Sequence, residues 1–214
     1  MFQMSIAGVL EICKRNFLLC IKDNLFIAVV YLLLVPLLRG IENLDAVRSA
    51  ECLEQTVIII GIILIVPIYA PEQSKAIRDL VCTKKVPHWN ILLLRLLMAI
   101  FSLIVMVSIF SAIMVWKNCT FPFVPYVAGT VISALALGSI GFTVSVLSHS
   151  VIAGYLISIG YFLFNFLGNI SSESIFYLFS MQTGSSEAKI WLFGLSILIF
   201  AISLFYESKT QFNR

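Results

Sequence analysis

The charged residues of 71–90 (PEQSKAIRDLVCTKKVPHWN) are those whose types and spacing point to work at a surface. Lys75, Arg78, Lys84 and Lys85 stand against Glu72 and Asp79, with a long apolar run on either side. Ala76, Ile77, Leu80 and Val81 recur at i, i+1, i+4 and i+5, one narrow apolar stripe on a helix. A bare connection between two membrane segments requires only a turn, whereas this one has a face to bury. The chemistry on offer is recognition. An apolar stripe supplies an anchor and the cations orient a partner, either a soluble protein or the anionic headgroups of a leaflet.

Bond-making chemistry has no comparable set of residues. His88 and His149 are far apart and lack an HxxxH or HExxH context. There is no GxSxG elbow, no Asp pair inside an apolar run and no Glu/His set spaced for a metal, so no catalytic and no metal-ligating residue is assigned. The absence of GxxxxGK[ST] means that this chain cannot by itself bind a nucleotide through a P-loop. Ion-coupled transport calls for an acid within a span, and Asp23, at an interface, comes nearest among the acids. The five cysteines are scattered without a CxxC pair. Cys52 and Cys119 would share the outer side, either bonded to each other or as two isolated small residues.

The elements that must position the charged stretch follow from composition. Of 214 residues, 60% are hydrophobic and 12% charged, and the mean hydropathy is +1.03. A soluble domain of this size could not hide so much apolar surface, so lipid is the solvent for most of it. The expected fold is an all-α integral membrane protein, a single transmembrane domain over 1–214. An N-terminal interfacial helix occupies 1–22, with Phe2, Ile6, Val9, Leu10, Cys13 and Phe17 on one side. Six transmembrane spans follow at about 24–39, 55–70, 90–116, 123–147, 150–168 and 189–206, the first two being short for a bilayer. The coupling segment, 71–90, lies between spans two and three.

With the N-terminus inside, ten basic residues (Lys14, Arg15, Lys22, Lys75, Arg78, Lys84, Lys85, Arg95, Lys209 and Arg214) are cytoplasmic, against four outside (Arg39, Arg48, Lys117 and Lys189). The positive-inside rule therefore puts both termini in the cytoplasm of a multi-pass plasma-membrane protein, expected to be bacterial. The net charge of +3 is met by the anionic inner leaflet, with no nucleic acid implied. The first outer loop, 39–55, with Glu42, Asp45, Arg48, Glu51 and Glu54, suits a solvated short helix.

Within the spans, Gly129, Ser133, Gly141 and Ser145 share one face of the fourth, with Leu137 the large member. Such a stripe lets helix backbones approach closely in lipid, or lines a translocation path. Tyr161 and Asn165 in the fifth span carry the same two readings, because an amide in hydrocarbon must find a partner. Residues 175–179 (IFYLF) are too few to cross and suit a re-entrant or interfacial helix on the outer side.

The charged stretch then resembles the cytoplasmic coupling segment of type-2 ABC exporter permeases. In that family an acidic residue after the second span leads into an amphipathic helix, a turn and a basic residue inside the third span. Glu72 matches the acidic position, 75–81 the helix, Val86-Pro87-His88-Trp89 the turn and Arg95 the basic position. Gln73-Ser74-Lys75-Ala76 departs from the family's usual Glu-Arg-Gly-Thr, and Lys85-Val86-Pro87 from its Leu-Pro. The resemblance covers nearly the whole length and implies a permease that dimerises with a second copy or a paralogue. It further implies docking of separate ABC-type ATPases, which bring ATP and Mg2+, with Glu72, Lys75, Ile77, Arg78, Leu80 and Val81 as the contacts. The cargo would be an amphipathic peptide, a drug-like compound or a lipid. Two other readings stay open: a six-helix membrane module that captures a small substrate, and an immunity or structural membrane protein without a transport cycle.

Overall fold

In the computed structural model, residues 16–73, 88–168, 174, 176–182 and 187–212 are described. They form six helices and no strand. A π-helical turn, Phe17–Ile21, leads into α1, Lys22–Arg39. Helix α2 runs Ala46–Gln73, α3 His88–Trp116, α4 Phe123–Ser148, α5 Val151–Leu167 and α6 Glu187–Phe212. The N-terminal interfacial helix and the coupling segment each fall largely outside the described residues.

Among the described residues, four helices are long and apolar enough to cross a membrane: Ala46–Gln73, Trp89–Trp116, Phe123–Ser148 and Ala188–Lys209. The fifth, Val151–Leu167, is apolar but shorter, and α1 carries Lys22 and Asp23 at one end and Arg39 at the other. The outward faces require an apolar solvent. On α1, Phe26, Leu33 and Leu37 are 69%, 67% and 81% exposed, while Ala28, Leu32 and Val35 face the bundle. The chain is therefore a helical membrane protein.

Helix α4 is the central strut and packs against α2, α5 and α6. Its small residues explain the position. Gly138 lies against Ile65 of α2, and Gly141 against Val66, Ser158 and the Gly154 backbone. The stripe read from sequence thus serves packing within one chain, where small side chains let backbones meet.

Helix α2 differs from expectation. The outer loop was expected to end near residue 55, yet helix begins at Ala46 and continues without a break into the apolar run. A π-helical stretch, Leu53–Val57, sits at the join and a 3-10 stretch, Val66–Gln73, at the far end. The π stretch leaves the Thr56 carbonyl able to accept the Tyr31 hydroxyl at 2.9 Å, tying α1 to α2. Pro71 has no N–H to donate within the 3-10 stretch. Helix α6 also runs past the expected 206, to Phe212. Residues 176–182 form turns where a short helix was expected.

Candidate functional site

Helix α2 carries a buried carboxylate near each end, Glu54 and Glu72. Each is neutralised by a cation from another helix, and each gathers a polar cluster.

At the Glu72 end, the 3-10 stretch turns the side chain into the bundle, where it is 1% exposed. Arg95, about two turns into α3, donates from one terminal nitrogen to Glu72 Oε1 at 2.6 Å and from Nε to Asn16 Oδ1 at 2.7 Å. One planar guanidinium therefore joins three segments: the approach to α1, the end of α2 and the start of α3. Glu207 of α6, also buried, lies within electrostatic reach of Glu72. Asn16, Glu72, Tyr206 and Glu207 each have further interactions beyond these. On the same stretch, the Tyr69 hydroxyl meets His149 Nδ1 at 2.7 Å, with the two rings stacked. His149 is the left-handed cap ending α4, so this contact fixes the α4–α5 turn against α2.

Cys20 borders the cluster. Burial pushes its thiol above the usual range; Arg95 acts in the opposite sense, and Glu72 adds to the rise. It should remain protonated at neutral pH and react with a maleimide about tenfold or more slowly than a cysteine introduced at Asn118. Mass spectrometry of the labelled peptides reads the two rates, and equal rates would mean that the cluster is open to solvent.

At the other end of α2, Glu54 is fully buried rather than solvated. Its Oε1 takes Lys189 Nζ of α6 at 2.5 Å and the Met181 N–H at 3.1 Å. Lys189 also donates to Ser133 Oγ at 2.5 Å and to the Leu178 carbonyl at 2.6 Å. An acid within a helix long enough to span was not expected. The signal was there: Ala50, Leu53, Glu54, Val57 and Gly61 share one buried stripe, spaced three and four apart. Lys189 offered less, since a lone lysine at the edge of an apolar run ordinarily snorkels.

The other residues singled out from sequence fall as follows. Lys75, Ile77, Arg78, Leu80 and Val81 lie outside the described residues. Glu72, expected to face a partner, is turned inward onto Arg95. Ser133 joins the Glu54 cluster. The side-chain amide of Asn165 donates to the Tyr161 carbonyl and accepts the Leu178 N–H, both at 3.1 Å, so it has its partners within the chain. The Tyr161 hydroxyl donates to the Phe176 carbonyl at 2.7 Å. Gly141 packs against α5. Cys52 and Cys119 are both buried free thiols, with the Cys119 thiol on the Ile41 carbonyl at 3.2 Å. Among the described residues, no group of three or more His, Cys, Asp or Glu could hold a metal ion.

No family model, curated protein or solved structure matches this chain.

What the Glu72 cluster can do is mechanical. A buried ion pair contributes little net stability but is costly to break by halves, so it fixes the relative position of its helices. Glu72 lies at the start of the charged stretch 71–90, and Arg95 follows its end within α3. The pair thus ties the end of α2 to α3.

Proposed function

We propose that this chain is the membrane subunit of an ATP-driven exporter, with six spans, both termini cytoplasmic and the charged stretch 71–90 as its coupling element. The observation that carries the reading is the buried pair of Glu72, at the start of that stretch, and Arg95, after its end. It joins the acidic and basic positions on which the sequence resemblance rests, and it gives them a physical task. ATP and Mg2+ belong to separate ABC-type ATPases. Lys75 and Arg78 steer these partners, and Ile77, Leu80 and Val81 supply the buried anchor. Glu72 acts from behind as a positioning residue. A second copy or a paralogue completes the path for an amphipathic peptide, a drug-like compound or a lipid. ATP-dependent closure of the ATPases favours one docked geometry, and that preference biases the spans between two states.

The test is a pull-down of the tagged chain in mild detergent, with mass spectrometry of what co-purifies. An ABC-type ATPase should be recovered, and lost on Lys75→Glu with Arg78→Glu, two opposed charges across the contact being enough to abolish it. Recovery of the folded chain alone would end the transporter reading and favour the binding-module or immunity alternative.

A further inference from the structure

Residues 176–182 are turns, yet they sit against membrane helices with Leu178, Phe179 and Ser180 buried. Backbone polar groups in such a place need partners, and irregular chain is tolerated at membrane depth only when protein supplies them. Here side chains from four helices do so. Asn165 of α5 accepts the Leu178 N–H. Ser133 of α4 and Lys189 of α6 both donate to the Leu178 carbonyl, at 3.1 and 2.6 Å. Glu54 of α2 accepts the Met181 N–H. Tyr161 of α5 holds the Phe176 carbonyl. The Phe179 ring stands edge-on to Phe162, Phe166 and Tyr177, and Met181 fills the space beside Gly129 where a Cβ would collide.

We infer that 176–182 is a latch across the Glu54 end of the bundle, kept shut by the Glu54–Lys189 pair. Lys189 is the keystone, because its ammonium holds the Glu54 carboxylate, the Ser133 hydroxyl and the Leu178 carbonyl together. An apolar plug would close the same space without desolvating two charges, so a buried pair is a poor choice for stability alone. Its advantage is a sharp response. The clamps come from α2, α4, α5 and α6, so separating any of these helices from the rest breaks at least one of them. Loss of the ammonium partner leaves a buried carboxylate that favours release. Glu54 also lies in the π-helical stretch Leu53–Val57, an irregularity that occurs often at functional sites. The latch does not depend on the transporter reading and holds for any membrane protein whose helices shift apart.

Hydrogen exchange of the full chain in nanodiscs, read by mass spectrometry, tests it. In Lys189→Met and in Glu54→Gln, the amides of 176–182 should exchange about a hundredfold faster, while those of 130–146 in α4 keep native protection. Unchanged exchange at 176–182 would overturn the latch. So would parallel loosening of α4, which would make the pair a prop of the whole fold. The native protein gives an independent reading that needs no variant. In mild denaturant 176–182 should open before α4, and a single shared opening for both would also overturn the proposal.

Discussion

Arg95→Met should destabilise the protein by about 3–5 kcal/mol, the range for breaking one half of a buried ion pair. Thermal unfolding in detergent and recovery of monodisperse protein would read the loss. The size follows from what stays behind. Glu72 is 1% exposed, so with its main cation gone it must either hold an uncompensated charge or take up a proton and give up its link to α3, and the nearby buried Glu207 makes the first choice costlier. Asn16 Oδ1 would lose the Arg95 Nε–H contact as well. Methionine fills much of the arginine's volume, so charge and not a cavity dominates the cost. Arg95→Lys should cost less but not nothing. An ammonium is a point charge on a shorter stem and cannot span Asn16 and Glu72 as the fork of nitrogens does. Glu72→Gln combined with Arg95→Met should recover much of the single-variant loss, because the uncompensated charge is gone. If the double variant is as unstable as the sum of the singles, the two side chains act independently and the Glu72–Arg95 link carries no energy of its own. Under the proposed exporter function, a folded Arg95→Lys variant with weakened ATPase recovery would mark Arg95 as a positioning residue.

How much of this was legible beforehand depends on whether a signal was local. Helices α3 and α4 were expected at 90–116 and 123–147 and lie at His88–Trp116 and Phe123–Ser148. Each is a long, mainly apolar run, and α3 has turn residues at its margins, Pro87 before it and Lys117-Asn118 after it. The need of Asn165 for a partner was legible too, from solvation alone, although the partner was not. Helix α2 was harder, because the charges of 42–54 resemble a solvated loop. What draws Glu54 into the bundle is a cation more than a hundred positions later in the chain. No periodicity links a lone glutamate at the edge of one apolar run to a lone lysine at the edge of another. The end of α6 failed for the opposite reason. Glu207 and Lys209 look like a solvated tail, yet Glu207 is buried and Lys209 rests over the Phe205 ring at 5.2 Å, so the helix gains by continuing. The inward turn of Glu72 was likewise hidden, since an acid beside a basic stretch suits a docking surface as well as a buried pair. The 3-10 winding around Pro71 separates the two readings.

Gly61→Leu should be as damaging as any apolar change in the protein, at or above the usual range of about 1–3 kcal/mol for overpacking. Gly61 of α2 faces α4, and a Cβ there would run into the carbonyl, carbonyl carbon and Cα of Ala134. Those are backbone atoms in mid-helix. They cannot rotate aside as a side-chain tip can, so relief requires moving α2 from α4 as whole helices. Gly160 and Gly194 provide the controls. No heavy atom lies within 4 Å of a Cβ built at either, so Gly160→Ala and Gly194→Ala should be neutral or stabilising, as expected for a glycine replaced within a helix. Thermal unfolding of the three variants side by side is the measurement. A Gly61→Leu protein as stable as the native one would mean that α2 and α4 are not held at this spacing. The consequence reaches both ends of the molecule. Glu54 and Glu72 sit on α2 on either side of Gly61, while Ser133, beside Ala134, belongs to the Glu54 cluster and His149, at the end of α4, holds Tyr69. Wedging the helices apart should therefore raise hydrogen exchange in 176–182 as well as lower the melting temperature. The contact that sets the spacing is apolar, and the two polar clusters at its ends are what register a change in it.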